Sequence, residues 1–237
     1  MKVIVVCGPT AVGKSDLAIT LAEKFNGEII NADSMQVYQE MNIGTAKITD
    51  DKGIKHHLLD IRKPYESYSV YEYQRDARAK INEIIKKGKT PIMVGGTGLY
   101  IRAALYDYQF EGSTRNDDKV IHGQPELLYS AIFIGLTTNR ETLYEQINKR
   151  VDIMIEQGLE TEVKRLYEKY PQSRALQTAI GYKELINNED INKLKQNSRH
   201  YAKRQYTWFN NQLPVAWFDI NKDNYLNEII KVIKSSK

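Results

Sequence analysis

Cysteine is nearly absent: Cys7 is the single one in 237 residues. A disulfide framework and a multi-thiolate zinc site each need more than one thiol, so both are excluded. Long apolar runs are missing too. The longest, Val3 to Cys7, falls far short of the roughly twenty residues of a membrane span. The opening Met1-Lys2-Val3-Ile4 leads directly into strand-like sequence, without the layout of a signal peptide. No internal repeat or low-complexity linker breaks the chain. Apolar residues at 41% and charged residues at 27% exclude general disorder. The expectation is a soluble, cytoplasmic protein with one domain over 1–237.

The net charge of +4 is unevenly placed. Residues 1–139 carry 17 basic and 17 acidic side chains, whereas 140–237 carry 17 basic and 13 acidic. The whole excess lies in the second part. That is compatible with a nucleic-acid partner without requiring one.

Hydrophobic periodicity supplies the elements. Lys2 to Cys7 reads as a strand buried on both faces, as a parallel sheet requires. Leu17, Ala18, Leu21, Ala22 and Phe25 mark a helix, Glu28 to Ala32 a strand, and Leu58 to Ile61 a short strand. Ser69 and Glu72 have capping-box spacing before a helix with Val70, Tyr73, Ala77, Ile81 and Ile84 on one face. Thr90 to Val94 is a strand with a helix to follow, and Leu127 to Leu136 is strand-like. Thr138 and Glu141 form a second capping box, before Leu143, Ile147, Val151 and Met154. Further helices carry Leu159, Val163, Leu166 and Tyr170, then Leu194, Tyr201 and Trp208. Residues 215–220 are a late strand and 223–234 a terminal helix. Alternation of strands and helices predicts an α/β fold, a doubly wound parallel sheet with flanking helices. Only 111–125, polar and aperiodic, fits poorly.

Gly8-Pro9-Thr10-Ala11-Val12-Gly13-Lys14-Ser15 satisfies the P-loop pattern between a strand and a helix. Its backbone N–H groups and the helix N-terminus favour phosphate oxygens. Lys14 reaches the terminal phosphate, and the Ser15 hydroxyl suits Mg²⁺. The ligand is an oligophosphate: a nucleotide such as ATP and a diphosphate ester satisfy the same cradle. Asp33, with Ser34, Met35 and Gln36, follows the second strand at the edge where open α/β sheets bind ligands. It can be a Mg²⁺ ligand, a general base or a cap for the next turn. Gly95-Gly96-Thr97-Gly98 follows another strand at that edge. Its glycines allow close approach to a ligand, or merely a tight turn. His56-His57 lacks neighbours at ligand spacing and reads as structural. Arg199 and Lys203, four apart on a helix, share an exposed face with Arg204 adjoining, while Tyr201 and Trp208 take the buried side. Those cations either solvate a core helix or clamp a diphosphate or RNA backbone.

Asn31 to Tyr38, Met41 to Lys47, His56 to Asp60, Val94 to Tyr100, Ala179 to Tyr182 and Ala202 to Trp208 follow the P-loop in order. Together they resemble the tRNA dimethylallyltransferase family, also called tRNA isopentenyltransferases, over nearly the whole chain. The resemblance implies a P-loop NTPase-like fold and transfer of a dimethylallyl group from dimethylallyl diphosphate to the exocyclic amine of an adenine beside the anticodon. It implies Asp33 as general base and Thr97 as its hydrogen-bonding neighbour. Gly8, Thr10, Ala11, Val12, Gly13, Lys14, Ser15 and Arg204 would hold diphosphate, with Mg²⁺ on Ser15. Asp33, Ser34, Met35, Gln36, Thr97, Arg199 and Lys203 would meet the tRNA anticodon stem-loop. One departure stands out: at 111–125 the family usually carries a helical insertion that grips the stem-loop, here missing or shortened. A P-loop nucleotide or metabolite kinase, and a non-catalytic RNA-binding P-loop module, are the other two classes. Neither accounts for the Asp33 to Tyr38 and Ala202 to Gln205 blocks together, and 105–130 offers no Arg-rich lid.

Overall fold

Strand β1 (Val3–Cys7) shows why consecutive β-branched residues suit a sheet covered on both sides. Val3, Val5 and Cys7 enter one core with Ile30, Met93 and Phe133. Ile4 and Val6 enter a second with Ile29, Ile92 and Ile134. Alternate side chains along each strand thus feed opposite faces. A fully buried Val or Ile contributes about 1.5–3 kcal/mol relative to exposure.

The computed structural model describes residues 2–107, 110 and 126–236. Among them, β1 is joined by β2 (Gly27–Asn31), β3 (His56–His57), β4 (Thr90–Val94), β5 (Ala131–Thr137) and β6 (Ala216–Asp219). The sheet order is β3-β2-β4-β1-β5-β6, every pairing parallel. In register, Val5 lies between Met93 of β4 and Phe133 of β5. Helices α1 (Lys14–Phe25) and α9 (Tyr225–Ser235) pack Leu17, Leu21, Ile229 and Ile233 on the second core. The first core is covered by α2 (Val70–Lys86) and α3 (Gly98–Leu105). It also receives apolar residues from α4 (Arg140–Glu156), α5 (Leu159–Lys169), α6 (Arg174–Thr178), α7 (Tyr182–Ile186) and α8 (Ile191–Gln212). This is the expected doubly wound α/β fold.

The α2 helix bears out its pattern. Ser69 and Glu72 close a reciprocal capping box, and Tyr73, Ala77, Ile81 and Ile84 are buried. Three local expectations are corrected. No strand forms at Leu58–Ile61, because Leu58 and Asp60 take positive φ; the pairing stops at His57. The N-cap of α4 is Asn139, which accepts from Thr142 N at 2.9 Å. Thr138 instead accepts from Asn221 at 2.7 Å, so no capping box forms there. The strand expected from Leu127 begins only at Ala131; Leu127 makes an isolated antiparallel bridge to Tyr106. The short helices α6 and α7 carry too few turns to show a period. The expectation for 111–125 lies outside the described residues.

Candidate active site

The loops after β1, β2 and β4 converge at the C-terminal edge of the sheet, β1 lying between β4 and β5. That is where open α/β sheets bind ligands. After β1, Gly8 and Gly13 take positive φ, as does Ala11, and the chain curls into the N-terminus of α1. Gly13 caps α1 without a side-chain bond, so the first-turn N–H groups keep their capacity for an anion. Lys14 Nζ donates to Pro9 O at 2.7 Å. Burial, reinforced by the charge of Arg150 and only partly offset by Asp33, pulls its ammonium down to about 8.

One expected phosphate donor is already in use. Thr10 N donates to Gln205 Oε1 at 2.9 Å, and Gln205 Nε2 donates to Gly96 O at 3.0 Å. Gln205, buried on α8, therefore ties the P-loop to the loop after β4. The glycines of that loop serve the same joint. A Cβ on Gly96 would stand 2.1 Å from Gln205 Nε2, one on Gly98 2.0 Å from the Trp208 ring, and one on Gly95 2.2 Å from the Ala32 backbone. They admit the protein's own elements, and Gly95 and Gly96 also border the cavity beside the P-loop.

Asp33 sits in a turn built by two side chains. Asn31 bonds both Asp33 N and Asp33 O at 3.0 Å, and Asp33 Oδ1 accepts from Met35 N at 2.9 Å. A turn cap is therefore part of its work, but only one oxygen is committed to it; a carboxylate can accept several more bonds. Thr97 Oγ1 accepts from Ser34 N at 3.0 Å and donates to Ser34 Oγ at 3.3 Å, which fixes the β4 loop against the Asp33 turn. The amide of Gln36 is held internally by Thr45 O at 3.0 Å.

Two cavities meet here. A larger one, about 1130 Å³, is bounded by the P-loop, Lys14 and Ser15. A smaller one, about 290 Å³, lies between the Asp33 turn, Gly44 and Thr45, and residues 178–183. Thr10, Asp33, Arg150, Met154 and Tyr201 line both. Tyr201, expected on the buried side of α8, instead faces this junction. It hydrogen-bonds Thr97 and Gln205, and burial together with the Asp33 charge pushes its phenol well above the ordinary range. It stays neutral and can donate.

Arg150 was missed by sequence reasoning. Burial lowers its guanidinium from the ordinary value, and the Asp33 carboxylate opposes that. Its signal was present: Arg150 follows Ile147 by three and precedes Met154 by four, on the apolar stripe of α4. A cation on a buried stripe needs a partner.

The three cations expected along α8 separate. Arg199 donates to Asn148 Oδ1 at 2.7 Å and lies 5.7 Å from the Tyr144 ring, so it is partly buried against α4 and shares no exposed edge with Lys203. Lys203 is exposed in an outer groove with Trp208 and Gln212. Arg204, 5.7 Å over the Tyr201 ring, borders this groove and the smaller cavity, but is not among the residues lining the P-loop cavity. Trp208 is only half-buried. His57 Nε2 bonds Glu28 at 2.7 Å in the first half of β2, away from the loop that follows it.

Comparison with known proteins follows this geometry. The IPP transferase family profile matches residues 36–121 and 113–212. A tRNA dimethylallyltransferase of Anoxybacillus flavithermus is 45% identical, over 98% of this chain and 96% of that protein. That alignment runs over 299 positions, more than the 237 residues present here, so the relative has residues this chain lacks. The two profile stretches overlap at 113–121. A solved tRNA delta(2)-isopentenylpyrophosphate transferase of Staphylococcus epidermidis superposes with a TM-score of 0.88 at 38% identity, covering 100% of both chains. A eukaryotic dimethylallyltransferase, described as acting on tRNA, gives 0.83 at 27% identity, covering 99% of this chain and 78% of that one.

Proposed function

The chain belongs to the IPP transferase family, and from that premise we propose that it transfers a dimethylallyl group from dimethylallyl diphosphate to the N6 amine of an adenine next to the anticodon in tRNA. The observation that carries this is the meeting of two cavities at Asp33. One has a phosphate cradle and the other has room for a flipped base.

The donor diphosphate enters the larger cavity against the P-loop. The N6 amine approaches the allylic carbon from the smaller one. The C–N bond forms as the C–O bond to diphosphate breaks, and the electron pair leaves with the diphosphate. Asp33 takes the amine proton as attack proceeds. Thr97 and Tyr201 orient the reacting centre from the side. Lys14 and Arg150 stabilise the departing negative charge; the clamp expected of Arg204 falls to Arg150, which borders both cavities. The phosphate cradle thus serves a leaving group.

Magnesium suits the donor set. Ser15 is exposed at the first turn of α1, and magnesium usually combines few protein ligands with substrate phosphates and water. Ser15 would hold it, and it would neutralise charge on the leaving diphosphate. No described helix is long and apolar enough to cross a membrane; a tRNA substrate and one buried thiol favour the cytoplasm. We further propose that the family's insertion is missing at 111–125, as the longer alignment and the overlap at 113–121 suggest.

The test is incubation with dimethylallyl diphosphate and an anticodon stem-loop, followed by mass spectrometry of the RNA. One added dimethylallyl group on the adenine is expected; phosphate on any acceptor would overturn the proposal in favour of a kinase. Asp33→Asn retains the oxygen that caps Met35 N but cannot take the proton. Its turnover should fall about a hundredfold or more, with donor binding unchanged. Near-normal turnover would remove Asp33 from the chemistry.

A further inference from the structure

Glu162 is an almost fully buried carboxylate, 6% exposed, with no role in the chemistry above. Its two oxygens accept from three consecutive backbone N–H groups: Asn42 at 3.1 Å, Ile43 at 3.0 and 3.1 Å, and Gly44 at 3.2 Å. Tyr182 OH donates to the same carboxylate at 2.6 Å. Such a concave run of N–H groups is a ready anion site, and here the protein fills it with its own side chain.

Two walls of the smaller cavity meet at this carboxylate. Gly44 and Thr45 form one, and Gly181 and Lys183, either side of Tyr182, form the other. The walls touch so closely that a Cβ on Gly44 would lie 2.4 Å from the Tyr182 ring. From the first wall the hydrogen bonds continue: Thr45 O accepts from Gln36 Nε2 at 3.0 Å, three residues beyond Asp33. The same face of α5 grips this segment again. Arg165 and Lys169, three and seven residues after Glu162, bond Glu40 at 2.8 and 3.0 Å, and Tyr170 OH donates to it at 2.8 Å.

We infer that Glu162 is a positioning residue for the acceptor side of the reaction: it sets the spacing of the cavity that receives the adenine and, through Thr45 and Gln36, the Asp33 turn. The inference rests on the transferase proposal. It assigns to α5, which contributes nothing to the phosphate cradle, control of the acceptor cavity. Asn42 and Ile43, held by the same carboxylate, also border the larger cavity, so donor affinity is the measurement that separates the two sides.

Glu162→Gln replaces one acceptor oxygen by an NH₂ that faces N–H groups, so the wall must shift. Steady-state kinetics should show kcat/KM for the stem-loop lower by about tenfold or more. The dissociation constant for dimethylallyl diphosphate, measured by calorimetry, should stay within about twofold, a separation that general loss of structure could not produce. Tyr182→Phe removes one bond and keeps the ring. It should show the same split at roughly threefold and serves should Glu162→Gln fail to fold. If the parent prenylates the stem-loop while both folded variants match it, or if donor affinity falls in step with RNA turnover, the inference is wrong. If the parent itself leaves the stem-loop unmodified, the fault lies with the transferase proposal.

Discussion

Asp33 and Lys14 show how the same residue types take their chemistry from surroundings. Asp33 spends one oxygen on the Met35 N–H, so its cap role leaves the other oxygen for the base role proposed for it. Lys14 has a measurable consequence. Its ammonium is held at about 8, chiefly by burial and by Arg150, and an arriving diphosphate favours the charged form. The sign follows: in the free protein the charge is present below pH 8 and lost above it, while the complex keeps it. Diphosphate binding at pH 8.5 should therefore take up most of a proton, seen by calorimetry in buffers of different ionisation enthalpy. Affinity should fall by up to tenfold per unit as pH rises past 8. No uptake below pH 9 would mean that Lys14 keeps its ordinary value. Arg150 shows the limit of motif reading: the P-loop is written in contiguous residues, whereas Arg150 reaches the site from α4 across the fold.

At the scale of elements, the site depends on how closely α8 lies against the loop after β4. The glycines and the Ala202 to Trp208 block are about a hundred residues apart in sequence, yet Gly96 meets Gln205 and Gly98 meets Trp208. Gly98→Ala should overpack this joint at a cost of about 1–3 kcal/mol, visible as a Tm lower by several degrees and a matching loss of transfer as Gln205 is levered off Thr10. A variant with unchanged Tm and activity would show that the joint yields freely. The longer helices were legible from period and caps: α2 matches its pattern residue by residue, because its capping box and apolar stripe are local. The cap of α4 slipped by one residue because Thr138 was drawn away to Asn221, a partner 83 positions along the chain.

For the molecule as a whole, the excess of positive charge lies after residue 139, on the part that supplies α4 to α8. Only some of those cations are available to RNA. Lys203 is exposed, whereas Arg199 is engaged by Asn148 and Tyr144. Lys203→Ala should lower the slope of log binding constant against log salt for a stem-loop by roughly 0.7–0.9, the worth of one phosphate contact. Arg199→Ala should leave the slope near the parent's and lower Tm instead. The reverse pattern would put Arg199, not Lys203, on the RNA backbone.

What the amino-acid order determined by itself was whatever depends on neighbours in the chain. The alternation of buried strands and amphipathic helices specified a parallel α/β sheet. The P-loop pattern pointed to an oligophosphate ligand, and the ordered motif blocks specified the family. What the tertiary structure decided was which side chains meet: Arg150 and Tyr201 with Asp33, Gln205 with both loops, Glu162 with Tyr182 and the backbone of 42–44. Those contacts join residues on different elements, so no spacing along the chain encodes them. They exist only once the close packing of α4, α5 and α8 against the sheet has brought the elements together.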